Sequence, residues 1–457
     1  MRLGTSLQSA LLASTLIIAG VTGALADSVF AQAGRDFSGD LRGNRNDVVL
    51  PGGKGWVTGR RMTEGQQLTF RRGDQVLNDE PLVVGADGKF EFAFDLPQDA
   101  AIGQQPIVVT AANPDGAGIM MLKVSPQVPL SGQDGFDISS AELAKGLYQV
   151  ARNKDGKLFV AAADGRGDKA VSKLFRLDGT TLAVEAEATP PAAADGTVNG
   201  VFGLGLDDAH GTVWTTNTMT DTITVFRQDD LSVLRAFPEG TIAHPRDVVV
   251  DAARNRVYVN AALTPEVQVY DGETLERVGT LAFPGTSPRE MFGSMSLAFD
   301  AGKGRLYSAS RPSGEVAWVD VETGEGGAFK PENADFASGV AFDPETNRLF
   351  VTSQNSDNLL VLDADSGKVL ADTPIGAGAL NVAFDPSTRH AYAVSRAAGT
   401  LTVLDVDGQI VANLPVGKLA NYVITDGAGT VYALSMTSEG EGEGEGGKGL
   451  ITRITAR

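Results

Sequence analysis

The chain has 457 residues, among them 55 glycines, 20 prolines, 3 histidines and no cysteine, and its formal net charge at pH 7 is −19. The lack of cysteine excludes disulfides, a thiol nucleophile, covalently attached c-type haem and a lipid anchor on cysteine. Such an acidic chain repels phosphate backbones, which argues against general nucleic-acid binding. The length suggests more than one ordinary domain, and the abundant glycine suits many short strands joined by tight turns.

The N-terminus has the pattern of a secretion signal. Arg2 is the only charged residue before Asp27, and the apolar stretch at 10–26 ends in the small-x-small triplet Ala24-Leu25-Ala26. Residues 31–33 offer a second cleavage point, and an uncleaved membrane anchor is the alternative, although the stretch is short for a spanning helix. We expect residues 1–26 to be a signal peptide, the mature protein to be periplasmic or extracellular, and no membrane span to remain after cleavage.

The next segment, 36–126, reads as short strands separated by turns rich in Gly, Asp and Pro. The strands are expected at 56–59, 67–70, 81–84, 90–94, 106–110 and 119–124. This pattern predicts a small Ig-like β-sandwich at 36–126, followed by a linker at 127–136. The stretch at 85–103 also resembles Ig-like modules of bacterial secreted proteins.

The rest of the chain repeats one pattern about every 40–55 residues, a period typical of propeller blades. Each copy has an apolar strand ending in Asp, a strand with a central aromatic residue and an alternating strand, as in the paired segments at 340–363 and 382–405. The aromatic position occurs seven times, at Phe159, Trp214, Tyr258, Tyr307, Phe350, Tyr392 and Tyr432. Because only neighbouring blades can cover both faces of each blade, we predict an all-β fold with a seven-bladed β-propeller at 137–457.

The last repeat lacks an outer strand of its own. The sixth repeat continues into a fourth strand at 409–414, whereas the seventh stops at Arg457. The segment at 137–145 occupies the corresponding place before the first repeat. Because an exposed sheet edge invites aggregation, we expect 137–145 to supply the outer strand of the last blade.

The repeats resemble a known family. The segment at 349–356, LFVTSQNS, resembles the YVTN β-propeller repeat, and 137–457 as a whole is similar to the YncE-like periplasmic propellers. Further similarities lie at 145–148, at 245–247, at Asn260 and at 395–399. The resemblance implies a binding protein, with single-stranded DNA binding as one associated activity.

The candidate binding site consists of residues in two kinds of connection. Arg246 and Arg289 precede first strands of blades, and Arg311 and Arg396 follow second strands. These connections usually open on one face of a propeller, where grouped guanidiniums suit a carboxylate or a phosphate. The predicted ligand-binding residues are Tyr148, Asn217, His244, Arg246, Asn260, Arg289, Arg311, Asn355, Arg396 and Tyr422. In the alternative, each arginine pairs with a neighbouring carboxylate such as Asp247 or Glu290.

Features of catalysis are sparse. The three histidines include no close pair that would indicate zinc, and no Gly-x-Ser-x-Gly elbow is present. The segment from Gly442 to Lys448 begins like a phosphate loop but lacks the following Ser or Thr and lies in the Glu-Gly repeat at 439–447. We therefore predict no catalytic residue, no metal and no cofactor.

These observations predict an exported binding or scaffold protein whose partner is a small anionic ligand at the channel mouth or an envelope protein. Three alternatives stay open. A lactonase-like hydrolase would share this kind of repeat, and its acid–base or metal-binding groups would be His244, Asp247 and Glu290. Single-stranded DNA binding follows from the family resemblance. A structural envelope protein would act through the Ig-like domain.

We predict that the exported form begins at Asp27 or at Gly34, because a signal peptidase cleaves after small-x-small triplets. N-terminal sequencing of the secreted protein measures this directly. Membrane-bound protein that retains Met1 would contradict the prediction.

Overall fold

The computed structural model describes residues 39–43, 48–165, 170–193, 195–437 and 447–457. The predicted signal peptide at 1–26, and all of the Glu-Gly repeat except Gly447, lie outside the described residues. Within these ranges the regular elements are β-strands and a single 3₁₀ turn at Gln133–Gly135. No helix in the described part of the chain is long and apolar enough to cross a membrane.

The segment at 39–126 forms two antiparallel sheets around one apolar core. The first contains, in spatial order, β1 (Asp40–Gly43), β2 (Lys54–Arg60) and β6 (Phe90–Asp95). The second contains β4 (Gln75–Val76), β3 (Gln67–Arg72), β7 (Gly103–Ala112) and β8 (Gly116–Val124), with β5 (Leu82–Val83) also paired to β3. Phe70 and Phe92 stack across the core with ring centroids 4.3 Å apart. We call this segment the N-terminal unit.

The remaining strands form four-stranded antiparallel sheets. The first strands are β10 (Leu147–Arg152), β14 (Gly203–Asp207), β18 (Pro245–Asp251), β22 (Ser294–Asp300), β26 (Ala337–Asp343), β30 (Ala379–Asp385) and β34 (Ala420–Thr425). The second strands are β11 (Lys157–Asp164), β15 (Thr212–Asn217), β19 (Arg256–Ala261), β23 (Arg305–Ser310), β27 (Arg348–Ser353), β31 (His390–Ser395) and β35 (Thr430–Ser435).

The outer half of each sheet continues the same order. The third strands are β12 (Val171–Asp178), β16 (Thr222–Arg227), β20 (Glu266–Asp271), β24 (Val316–Asp320), β28 (Asn358–Asp363), β32 (Thr400–Asp405) and β36 (Leu450–Ala456). The fourth strands are β13 (Val184–Ala188), β17 (Val233–Ala236), β21 (Arg277–Ala282), β25 (Gly326–Phe329), β29 (Val369–Pro374) and β33 (Ile410–Pro415). Beside β36 lies β9 (Phe136–Glu142).

The core lies between neighbouring sheets. Trp214 on one sheet packs on Tyr270 of the next with ring centroids 5.3 Å apart, and Phe350 stacks on Phe384 at 5.2 Å. The aromatic residues that mark the repeats in the sequence are all buried. Because both faces of a sheet carry apolar side chains, each sheet is stable only between two neighbours.

The aspartates that end the first strands build the following turns. The Oδ1 atom of Asp251 accepts hydrogen bonds from the backbone N–H groups of Ala253 and Arg254, and Oδ1 of Asp300 accepts from those of Gly302 and Lys303. An Asp side chain stabilises a tight turn in this way because it satisfies N–H groups two and three residues ahead. The recurring Asp is thus a structural residue.

The first strands contact one another in succession, and β10 also contacts β34. In the last sheet the antiparallel register of β36 with β9 runs from Leu450 opposite Glu142 to Ala456 opposite Phe136. The Ser140 and Thr452 hydroxyls hydrogen-bond across this pair at 2.8 Å. The pairing segment is therefore 136–142, whereas the sequence suggested 137–145.

The residues just before β9 lie against the propeller. Backbone atoms of Ser131 and Asn413 exchange two hydrogen bonds of 3.0 Å, and the Asn413 amide donates to the carbonyl of Val128 at 3.1 Å. This stretch is docked along β33, a contact that its Pro, Ser and Gly content did not indicate.

We predict that a chain shortened to residues 127–457 is more stable than one shortened to 146–457. The second lacks β9, so it loses the ladder to β36 at about 1 kcal/mol per hydrogen bond and exposes apolar surface. Denaturant unfolding should show a loss of several kcal/mol. Equal midpoints for the two chains would show that β9 does not stabilise the last sheet.

Candidate functional site

One face of the propeller gathers most of the predicted site residues. Strand direction alternates within each antiparallel sheet, so the connection before a first strand and the one after a second strand lie at the same end. Arg246 is the second residue of β18, and Arg396 directly follows β31. We call the central opening at this end the channel mouth. Its cavity is lined by Tyr148, Gln149, Phe202, Arg246, Met295, Ser296, Ser338, Leu380, Asn381, Asn421 and Tyr422.

Polar side chains link the first strands around the channel. The Gln149 side chain accepts a hydrogen bond from the Leu204 N–H at 2.8 Å and donates one to the Asp247 carboxylate at 3.3 Å. The same carboxylate accepts a hydrogen bond from the Leu297 N–H at 2.9 Å. Three further hydrogen bonds link first strands. The Ser296 hydroxyl donates to the Ser338 carbonyl, and the Asn381 side-chain oxygen accepts from the Val423 N–H. The Asn421 amide donates to the Tyr148 carbonyl. We call Gln149, Asp247, Ser296, Asn381 and Asn421 the channel girdle.

Arg246 is half-buried and is the predicted arginine that lines this cavity. Burial lowers the pKa of Arg246, the charge of Asp247 opposes this, and the positive charge of Arg311 adds to the lowering. Within the described part of the chain no carboxylate forms a salt bridge with its guanidinium. Because an arginine in a protein stays protonated, Arg246 presents an incompletely neutralised charge at the channel mouth.

Arg311 and Arg396 do not line the cavity, but the charge of Arg311 acts on both Arg246 and Arg396, and we call these three residues the arginine cluster. The Arg311 guanidinium lies 4.5 Å from the ring centre of Phe336. Arg396 donates to the Asn421 side-chain oxygen and, at 3.0 Å, to the Met436 sulfur. Burial lowers the pKa of both arginines, and the charge of Arg311 contributes to the lowering at Arg396. Neither has a carboxylate hydrogen-bond partner among the described residues.

Two tyrosines complete the mouth. Tyr148 meets Phe202 edge-on with ring centroids 4.5 Å apart and is an electrostatic neighbour of both Arg246 and Arg396. Burial, and then the charge of Asp247, raise the pKa of Tyr422 well above its ordinary value. The phenol of Tyr422 is therefore a neutral hydrogen-bonding group beside Arg246.

Two predicted ligand-binding residues lie inside the sheets instead. Asn260 is fully buried, accepts from the Asp247 N–H at 2.6 Å and donates to the Ser294 carbonyl and hydroxyl. Asn217 is also fully buried and donates to the Thr224 hydroxyl at 2.9 Å. Both amides form hydrogen bonds within or between sheets and are fully buried, so they are not among the side chains exposed at the channel mouth.

The remaining predicted residues lie apart from this cluster. Arg289 is exposed, and its backbone N–H donates to the Ser287 hydroxyl at 3.3 Å. His244 is half-buried with φ of 51°, and burial lowers its pKa. The Asn355 N–H donates to the Asp335 carbonyl at 3.1 Å, and Asn355 lines a cleft beside the N-terminal unit.

The carboxylates proposed as arginine partners are occupied elsewhere. Glu290 pairs with Lys330 at 2.7 Å, and Asp247 accepts backbone N–H groups within the girdle. The three groups considered for a hydrolase, His244, Asp247 and Glu290, form no shared hydrogen bond. Over the described ranges no cluster of three or more His, Cys, Asp or Glu side chains is arranged to hold a metal ion.

The N-terminal unit contacts the same end of the propeller. Lys123 on β8 donates to the Gln354 carbonyl and to Asp357 Oδ1, both at 2.7 Å, and the Asp357 side chain is only 1% exposed. Both partners lie in the connection between β27 and β28. The unit therefore sits beside the arginine cluster.

The fold and the site define a β-propeller protein with a polar, arginine-bearing channel mouth. The chain is 26% identical over 255 residues to the uncharacterized protein YncE of Salmonella typhi, which covers 51% of this chain and 67% of that protein. The protein of the same name from Escherichia coli K12 is 25% identical over 259 residues, 53% and 68% of the two chains. No family model matches the chain.

A solved structure shares the architecture. A chain of hydrazine synthase from Kuenenia stuttgartiensis superposes with a TM-score of 0.53 and 15% identity, covering 64% of this chain and 93% of that one. At this identity the similarity shows the fold alone.

We predict that Asp247→Asn makes the free energy of unfolding less dependent on pH. Burial raises the pKa of Asp247 to about 6 from an ordinary 3.8, against the hydrogen bonds from Leu297, Val248 and Gln149. The folded protein thus binds the Asp247 proton more tightly than the unfolded chain does. Protonation of Asp247 therefore stabilises the folded protein near pH 4. This stabilisation, up to about 3 kcal/mol, is lost as pH rises through about 6. Denaturant unfolding of the wild type and of Asp247→Asn between pH 4 and 8 measures this difference. If the free energy of unfolding changes with pH in the same way for the two proteins, Asp247 does not cause the pH dependence.

Proposed function

We propose that the protein is an exported binding protein that holds a small anion at the channel mouth. The scaffold in this proposal is a seven-bladed β-propeller at 137–457, preceded by an Ig-like sandwich at 36–126 and a linker at 127–136. Export rests on the signal-like pattern at 1–26.

The proposed architecture is supported by strand pairing. The four-stranded sheets follow one another along the chain, and β9 completes the last of them. Contact between β10 and β34 joins the first sheet to the last, as a closed ring requires. The two sheets of the N-terminal unit enclose a single apolar core, as a sandwich requires.

The proposed binding role rests chiefly on the convergence of Arg246, Arg311 and Arg396. They come from three different sheets, and the charge of Arg311 acts on both Arg246 and Arg396. None of the three forms a salt bridge with a carboxylate among the described residues. Grouped cations repel one another unless an anion neutralises them. A carboxylate, sulfate or phosphate group accepts charge-assisted hydrogen bonds from such guanidiniums, so it relieves the repulsion on binding.

The overall charge favours a small ligand over a polymer. The chain carries a net charge of −19, so a long polyanion meets repulsion from the surrounding surface. A small anion that enters the mouth interacts mainly with the local arginines, because more distant charges are screened within about 10 Å at moderate salt.

We predict that the double variant Arg246→Ala, Arg396→Ala binds sulfate at least about tenfold more weakly than the wild type, because each hydrogen bond between charged groups contributes about 1.5–3 kcal/mol. Sulfate keeps its charge near neutral pH, so calorimetric titration is not complicated by ligand protonation. Wild-type affinity should also fall as NaCl is raised.

Arg289→Ala is the matched control, since it removes an exposed arginine at the same end of the propeller. It should leave sulfate binding unchanged. The double variant should melt no lower than the wild type without sulfate, because it removes half-buried charges that lack carboxylate partners. Equal sulfate affinity in the wild type and the double variant, or no binding to either, would refute the proposal.

A further inference from the structure

An apolar groove leaves the channel mouth between the first two sheets. Its volume is about 560 Å³, and the residues used here are Tyr148, Val171, Val198, Phe202, Met219 and Met436. This volume lies within the roughly 300–1,000 Å³ typical of small-molecule sites. Asp164 and Thr197 also line the groove, but most of its wall is apolar, unlike the polar girdle beside it.

The groove contains unusually exposed apolar side chains. Met219 is 63% exposed and Val171 is 58% exposed, although they come from different sheets. Apolar side chains that gather around a concavity on an otherwise acidic surface mark a place where an apolar group binds. Neither residue is needed to cover the core, because each lies at the surface.

The groove and the arginine cluster share a wall. Tyr148 and Phe202 line both the channel mouth and the groove. Met436 lines the groove, and its sulfur accepts the hydrogen bond from Arg396. A molecule lying in the groove therefore reaches the guanidiniums with one end.

We propose that the ligand is amphipathic, a small carboxylate whose charged group binds Arg246 and Arg396 and whose unbranched apolar tail lies in the groove. This inference rests on the proposed function and narrows it to a chemical class. Charge complementarity fixes the head at the channel mouth, since the groove itself presents apolar walls. Tyr148, at the junction, contacts the tail with its ring and the carboxylate with its hydroxyl.

The test is calorimetric titration of the full chain with acetate, hexanoate, octanoate and dodecanoate below their micelle concentrations. Each added CH₂ that enters the groove should tighten binding about threefold to fourfold, until the groove is filled. Dodecanol, which has the tail without the charge, should bind at least about tenfold more weakly than dodecanoate.

The groove is tested by the double variant Val171→Ser, Met219→Ser, which removes apolar surface without adding charge. It should bind dodecanoate at least about tenfold more weakly and sulfate as tightly as the wild type. Val184→Ser is the matched control, because Val184 is a similarly exposed valine, at 50%, on the neighbouring strand β13 and does not line the groove. It should leave both affinities unchanged.

The outcomes separate this inference from the proposed function. If sulfate binding depends on Arg246 and Arg396 but affinity does not rise with chain length, the amphipathic ligand is refuted and the anion site stands. If dodecanoate binds equally well to the groove variant, the groove is not its site. If neither sulfate nor any carboxylate binds, both proposals fall.

Discussion

The antiparallel pairing of Phe136–Glu142 with Leu450–Ala456 is the constraint on which the propeller depends. It joins segments from opposite ends of the repeat region, so a very long loop must close before the pair can form. Without it, the last sheet would have three strands, with β36 at its edge. With it, every first strand has a neighbour on both sides, and the girdle side chains occupy fixed positions around one channel.

A closed, rigid ring makes the arginine cluster possible. Bringing Arg246 and Arg396 out of water beside Arg311 is unfavourable, as their lowered pKa values indicate. A flexible loop would relax and expose them. Here Arg246 and Arg396 lie at strand ends whose sheets are held by two apolar faces, so the positions of their charges are fixed, and in the proposed function an anion neutralises them.

The sequence predicts the repeat unit well because two kinds of residue recur for local reasons: the buried aromatic of the second strand, as at Trp214, and the turn-forming aspartate, as at Asp251. It predicts the site less well, because a similar place in the repeat does not imply similar exposure. Asn260 lies near the end of a second strand, the end that faces the channel mouth, yet its side-chain amide is hydrogen-bonded inside the sheet.

Apart from Asp247, which the sequence suggested as an arginine partner or an acid–base group, the channel girdle was missed, although it left a signal. Gln149, Asp247, Ser296 and Asn381 each directly precede a run of apolar residues in a first strand, where a polar residue interrupts the pattern. Which of these groups face one another depends on ring closure and on contacts between distant sheets. Neither is encoded in local periodicity.

The position of the N-terminal unit has a consequence for the arginine cluster. The Asp357 Oδ1 atom accepts hydrogen bonds from the Lys123 ammonium and, at 2.6 Å, from the Gly378 N–H. The Gly378 carbonyl in turn accepts a hydrogen bond from the Arg396 backbone N–H at 2.9 Å. Lys123 neutralises a carboxylate that is otherwise nearly inaccessible to water, and loss of one partner of such a pair is strongly destabilising. The N-terminal unit thus holds the backbone that carries Arg396, which gives a domain remote in sequence a direct structural part in shaping the channel mouth.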